Sequence, residues 1–515
     1  VSEREVTSDV GYETAGGDAR AGIGRLLVFV LWLTGFALPS LSRAGESERD
    51  SASSVTGQTP GRSFEWVGAS AATNAELQKA LESQVVEMMS GMSPAAKRGY
   101  DFLVSKPYLP SDFDGDVLSA LQEIEPVDQF DDISVTANSE WATWLRYGLS
   151  PRPDDETLPL QYVRRDDGQF VMNCFACHGG NLYGTTYPGA ANTLYGLEML
   201  TEDVRKTKIE QKKPLTHMDI GSMFMPLGST TGHSNAVMFG VALMNYRDAD
   251  LNVHAFRPPA RMVHHDMDAP SWWQFSRKHH IYIDGFAEKG HRGLMQFMLV
   301  RENGPDQFKQ WASDFKDVYA FISEIRPPKY PFDLKTDLQS KGQNLFHENC
   351  AECHGTYGVT SDYPESMVPL ADVGTDAVRW NALTPTHRAN YGRSWFADKG
   401  DQNTLESPDG YVAPPLDGVW SSAPYFHNGS VPTLWDVLRP GNRPSVWRRT
   451  SLGIDRDKNG LMVERLESMP SGLTRKQARY YFDTGEFGKS AEGHDFAEHL
   501  TDDECRQLLE YLKSL

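Results

Sequence analysis

The chain has 515 residues, enough for two or more domains with cores of their own. Hydrophobic residues make up 39% and aromatic residues 11%, a globular composition that leaves room for substantial loops. Lysine and arginine number 50 against 70 aspartates and glutamates, and the formal net charge of −20 argues against nucleic acid and anionic membrane surfaces as partners. A basic protein partner is compatible with that charge.

Near the start, Arg25 precedes an apolar run from Leu26 to Leu38 that is interrupted only by Thr34 and Gly35, and Pro39, Ser40, Ser42 and Ala44 follow. This pattern predicts a secretory signal peptide over residues 1–44, cleaved after Ser42-Arg43-Ala44. The apolar core is too short for a comfortable membrane span, so no stable membrane insertion is expected after cleavage. The long polar stretch before Arg25 is unusual for such a leader and fits a start placed too far upstream. Residues 45–72 are rich in Ser, Gly, Thr and Ala and read as a flexible linker, with order beginning near Asn74.

From Asn74 to Met89 the apolar residues recur at helical spacing, and Ser93-Pro94 opens a second helix carrying Tyr100, Phe102 and Leu103. Trp141, Trp144, Leu145 and Tyr147 form a third amphipathic segment. The chain then reaches Met172-Asn173-Cys174-Phe175-Ala176-Cys177-His178-Gly179-Gly180, the first of two Cys-x-x-Cys-His motifs; the second is Cys350-Ala351-Glu352-Cys353-His354. This is the attachment signature of a c-type haem, with two thiols forming thioethers to the porphyrin and the histidine binding the iron. On a helical turn, residues i, i+3 and i+4 share one face, so both thiols and the imidazole reach one porphyrin. Structural zinc is the competing reading of paired cysteines. It gives no reason for a histidine directly after the second cysteine, and the two motifs are too far apart for a zinc ribbon.

The two motifs use four of the five cysteines. The fifth, Cys505, shares a helical face with Leu508, Leu509, Leu512 and Leu515 and reads as a buried apolar residue. Between the motifs the chain is loop-rich, with turn-forming stretches at 188–193 and 228–235. A helix from Arg301 to Ile325 carries a stripe of Phe315, Val318, Tyr319, Ile322 and Ile325, and Arg326-Pro327-Pro328 stops it. Past that boundary, Lys341 to Phe346 leads as a helix into the second motif, and a last helix opens on the capping box of Thr501 and Glu504. The expected fold is mainly α with extensive loops, in two cytochrome c-like domains at 73–326 and 327–515, each carrying one covalent haem.

His178 and His354 supply the fifth iron ligands. The sixth position decides the chemistry: a second His or Met leaves an electron-transfer centre, and an open position admits peroxide or dioxygen. The residues leave His427, His494, His499, Met367, Met462 and Met469 as candidates in the second half. In the first half His233, His264, His265, His279, His280, Met295 and Met298 are available.

The stretch Ala423-Pro424-Tyr425-Phe426-His427-Asn428-Gly429-Ser430-Val431-Pro432-Thr433-Leu434 resembles the His-x-Gly loop of the bacterial di-haem cytochrome c peroxidases and their relatives, among them the di-haem rubber oxygenases. The likeness is strongest to the rubber-oxygenase branch, through Asn173-Cys174 to Gly180, Asp268-Ala269-Pro270-Ser271-Trp272-Trp273, Cys350 to Gly358, and Gly493-His494-Asp495-Phe496. The resemblance implies that His494 is the sixth ligand of the second haem and that His427 is held near the haems without binding iron. It implies that Trp272 or Trp273 lies between the haems and carries electrons. No residue matches a sixth ligand for the first haem. The expectation is therefore a periplasmic or secreted haem-dependent oxidoreductase of the peroxidase or dioxygenase type, served by a redox partner protein or small electron donor. The alternative is a di-haem electron-transfer protein with both irons six-coordinate.

Overall fold

Ser93 and Thr501 each begin a helix by the same device, a hydroxyl that accepts a backbone N–H three residues on. The computed structural model describes residues 64–124, 130–135, 140–254, 258 and 260–515. The expected signal peptide over 1–44 and most of the expected linker over 45–72 lie outside the described residues. The end of that linker departs from expectation: strand β1 (Phe64–Trp66) pairs antiparallel with β2 (Ile133–Val135), and helix α1 spans Ala71–Gly91.

Two helix pairs frame the two haem motifs. In the first, α2 (Pro94–Ser105) lies against α3 (Pro305–Glu324). Gly99 makes the crossing close, since a β-carbon there would stand 2.1 Å from the Asp317 carbonyl oxygen. In the second pair, α4 (Thr336–Asn349) lies against α5 (Asp502–Leu512), and a β-carbon on Gly342 would stand 2.0 Å from the Gln507 carbonyl oxygen. The same construction therefore occurs twice: a helix before the cysteines, a glycine at the crossing and a later helix laid over it.

Helix α3 starts at Pro305 rather than Arg301, because the Gly304 N–H bonds to the Gln307 side chain and Pro305 occupies the first turn. Its Phe315, Val318, Phe321 and Ile322 are buried. They belong to an apolar cluster that includes Tyr100, Phe175 and Trp272. A second cluster centres on Phe346, Cys505, Leu508 and Tyr511, so Cys505 is the buried apolar residue expected. A third gathers Phe113, Trp144, Tyr147, Phe170 and Tyr195. The described residues fall in one compact unit.

Among the described residues six small antiparallel sheets accompany the helices. The largest pairs β3 (Val446–Asp455) with β4 (Gly460–Leu466) on one side and β5 (Tyr481–Asp483) on the other. Trp447 stacks on Phe482 across it, at 5.3 Å and 10°. Burial along β3 does not alternate, because both faces are covered over much of its length, and the period-two signal of a half-exposed strand is lost.

The crossings give a direct test. Gly342→Ala should destabilise the protein by about 1–3 kcal/mol in denaturant unfolding, because backbone must move to admit the methyl group. Gly115→Ala, where nothing lies within 4 Å, should be neutral or stabilising.

Candidate functional site

The first motif is delivered by a hairpin of two short strands, Tyr162–Arg164 and Gln169–Met172. Asn173 fixes the turn that follows. Its amide donates to the carbonyls of Leu103 (3.0 Å) and Leu160 (2.9 Å), and its Oδ1 accepts the Phe175 N–H at 2.9 Å. A single helical turn, Phe175–His178, then carries the motif, and buried Phe175 anchors it against Tyr100 and Phe321. Cys174, Cys177 and His178 are all partly exposed on this turn. The His178 Nδ1 lies 3.0 Å from the Pro270 carbonyl oxygen. A carbonyl can only accept, so Nδ1 carries the proton and Nε2 keeps its lone pair. Burial pulls His178 down to about 4, so the ring is neutral at pH 7, as a metal ligand must be. On its other side, Trp272 stacks on the imidazole at 4.9 Å and 22°.

The second motif repeats these terms. Helix α4 ends with Cys350 N–H on the Phe346 carbonyl, and the turn Ala351–His354 follows. The His354 Nδ1 lies 2.8 Å from the Pro414 carbonyl oxygen. Tyr357 donates its hydroxyl to the His354 carbonyl at 3.0 Å and accepts the Leu416 N–H at 2.6 Å, which ties the motif to the Pro414 loop.

His494 stands across from His354, with ring centroids 6.1 Å apart and planes inclined by 55°. Two imidazoles sharing one metal each hold it at about 2 Å, with the ring centroid roughly 1.1 Å beyond the nitrogen, so their centroids stand about 6.2 Å apart. At the observed separation the two imidazoles would be able to hold one metal ion between them. Backbone close contact aims this histidine. His494 has φ of 54°, and its N–H donates to the Val373 carbonyl at 2.7 Å. A β-carbon on neighbouring Gly493 would lie 2.2 Å from the Gly374 carbonyl carbon. Arg443 donates to the Ala491 (2.6 Å) and Gly493 (2.7 Å) carbonyls, and its guanidinium lies 5.0 Å from the centroid of Phe426, which packs beside His494. Burial pushes His494 down to about 3, with His354 and Arg443 adding to the effect.

Among the described residues no second imidazole stands opposite His178 in the way His494 stands opposite His354. Met295 and Met298 are buried in the first apolar cluster. His264 and His279 are exposed, and His280 bonds Glu365. His233 and His265 are buried, with Nδ1 on the carbonyls of Thr231 and Val263. In the second half, exposed His499 bonds Asn349, and Met367 and Met462 sit in strands. His427 packs on Tyr411 at 4.7 Å, and its carbonyl accepts the Asp268 N–H at 2.9 Å, so the His-Asn-Gly loop touches the segment leading to Pro270 and Trp272. Trp273 is buried against Tyr187, and its indole nitrogen would stand 2.9 Å from a β-carbon on Gly418, four residues past Pro414. The tryptophan pair therefore reaches from His178 to the loop that holds His354.

Among the described residues no group of three or more His, Cys, Asp or Glu side chains is arranged to hold a metal ion. A cleft enclosing about 470 Å³ of space, part of it open to solvent, is lined largely by apolar groups such as Val241, Met244, Phe286 and Leu383. Among the described residues no helix is long and apolar enough to cross a membrane. The sequence reading missed Pro270, Pro414, Gly374 and Arg443. The two proline carbonyls stand 92 and 60 residues from their histidines, so no fixed spacing announces them.

Comparison with known proteins finds relatives over parts of the chain. The family model for RoxA-like, cytochrome c-like proteins matches residues 410–448, the segment from Tyr411 through the His427 loop to Trp447. The cytochrome c peroxidase Ccp of Escherichia coli is 25% identical over 295 residues, covering 53% of this chain and 50% of that protein. The chain is therefore similar to the cytochrome c peroxidase and RoxA-like superfamily. Two uncharacterised proteins of Sinorhizobium fredii are also similar. One, y4iM, is 30% identical over 200 residues, covering 34% of this chain and 45% of its own length. The other, y4iJ, is 36% identical over 257 residues, covering 37% of this chain and 41% of its own. The chain thus spans about half the length or less of the curated relatives it matches.

The likeness to cytochrome c-like proteins points to haem c, and the donor sets of both motifs suit it. Arg443 gives a test of the positioning. Arg443→Ala removes four guanidinium bonds to backbone carbonyls and should destabilise the protein by roughly 2–4 kcal/mol. Hydrogen exchange should show amides 489–496 losing protection first; uniform loss across the protein would contradict a local role.

Proposed function

We propose that the protein is an exported di-haem c oxidoreductase in which the two haems divide the work. The first, on Cys174, Cys177 and His178, binds and activates peroxide or dioxygen. The second, on Cys350 and Cys353 between His354 and His494, relays electrons. Residues 73–326 and 327–515 are the two cytochrome lobes of this reading, and a redox partner protein or small donor supplies the electrons outside the cytoplasm.

One observation carries the reading: the inequality of the two histidines. His354 has a second imidazole across from it at 6.1 Å, whereas the ring stacked on His178 is a tryptophan. When bound, haem iron supplies a one-electron couple, and an open coordination position makes bond chemistry with an oxidant possible. The chain's own residues do the rest. Pro270 and Pro414 hold each Nδ1 proton in place, leaving each Nε2 free to bind. Trp272 and Trp273 form a short aromatic bridge between the two loops, suited to electron passage. The match to a protein named cytochrome c peroxidase supports the peroxide branch, and the RoxA-like match leaves the dioxygen branch beside it.

The test is ligand binding by the reduced protein. A pyridine haemochrome assay should find about two covalent haems per chain, and the ferrous protein should take up about one carbon monoxide, at the haem on His178. Two haems with no carbon monoxide uptake would replace this reading by that of an electron carrier.

A further inference from the structure

A buried cluster of charge lies beside the His494 loop and has too little negative charge. Asp284 is fully buried, and its close partner is Arg388, whose Nη2 donates to Oδ2 at 2.6 Å. Arg379 reaches the same carboxylate only at 3.3 and 3.4 Å, the outer limit of a hydrogen bond. Its Nε has no hydrogen-bond partner among the described residues, although the side chain is 1% exposed. Lys278 stands within electrostatic range of Asp284 as well. Lys278 has a second carboxylate in range, Glu365, so the deficit falls on the two guanidiniums, which among the described residues share Asp284 alone. Buried charges are ordinarily paired, and an unpaired one is strongly destabilising.

The position of Arg379 indicates what completes the set. It lies in the short helix Val378–Ala382, just after Val373 and Gly374, which hold His494. The Trp380 N–H donates to the Tyr411 hydroxyl at 3.1 Å, and Tyr411 carries the His427 ring on its face. The His427 Nε2 is buried without a partner, and Arg379 and His265 both lie close enough to disfavour its protonation. Phe426, next in the chain, packs on His494 at 6.0 Å. On the other side, His427 joins the 268–272 segment that runs to Pro270 and Trp272. Through His427 the cluster is linked to the segment that carries Pro270 and Trp272 and, by way of Phe426, to His494.

We propose that Arg379 and His427 bind a haem propionate, so that the cofactor's carboxylate completes the Asp284–Arg379–Arg388 cluster. A porphyrin c carries two such carboxylates, and the guanidinium Nε–H and imidazole Nε2–H are two donors of matching chemistry. This assignment rests on the haem reading above. It adds a means of tuning potential, because a buried cation on a propionate favours the ferrous form.

The experiment compares the wild-type holoprotein with Arg379→Gln, Arg379→Lys and His427→Ala by resonance Raman spectroscopy and spectroelectrochemistry, with haem content measured on each. In Arg379→Gln the propionate-bending band of one haem should shift and that haem's midpoint potential should fall; Arg379→Lys should restore most of the potential. Should Arg379→Gln fail to fold, His427→Ala should move the same band by a smaller amount. The haem whose band moves identifies the donor of the propionate. Unchanged bands in variants that retain both haems overturn the proposal, as does a potential shift without a band shift, which would make Arg379 a distant charge only. A wild-type protein lacking two haems would instead sink the functional reading.

Discussion

Each motif depends on one hydrogen bond, from an imidazole Nδ1–H to a proline carbonyl. His178 is held by Pro270 at 3.0 Å and His354 by Pro414 at 2.8 Å. The bond fixes the tautomer, the ring orientation and the basicity of the opposite nitrogen together. Both carbonyls belong to loops, so the loops must themselves be held. The 268–272 segment is tied to the His427 carbonyl and to Gly189, and the Pro414 loop to Tyr357. The paired helices crossing at Gly99 and Gly342 provide the rigid frame to which these loops are anchored.

Beyond that shared plan the two sites diverge. The second has a left-handed histidine pressed in by two glycines and tied by an arginine, so an imidazole faces His354. The first has an indole stacked on its histidine and a buried apolar cluster around it. An iron with two strong ligands changes charge with little rearrangement, whereas one with an open position can do chemistry. The tryptophan pair, touching His178 at one end and Gly418 at the other, links the two kinds of site within one chain.

The sequence was most informative where chemistry is local. Two cysteines and a histidine on one helical turn are legible without a structure, as are the caps at Ser93 and Thr501 and the burial of Cys505. His494 and the tryptophans came through resemblance, since one histidine among fifteen carries no mark of its role. The small sheets were missed because β3 is covered on both faces, although Asn459-Gly460 at its hairpin, with Asn459 at φ 52°, was an available turn signal. Pro270, Pro414, Arg443 and the Asp284 cluster were illegible for one reason. Their roles arise from contacts across tens of residues, through backbone carbonyls and buried charges that no spacing encodes.

The inequality of the two haem sites is the central claim, and electron paramagnetic resonance of the ferric protein tests it most directly. One high-spin and one low-spin haem are expected, with the low-spin signal lost in His494→Ala and the high-spin signal unchanged. Two low-spin haems in the wild type, or a low-spin signal that survives His494→Ala, would contradict it.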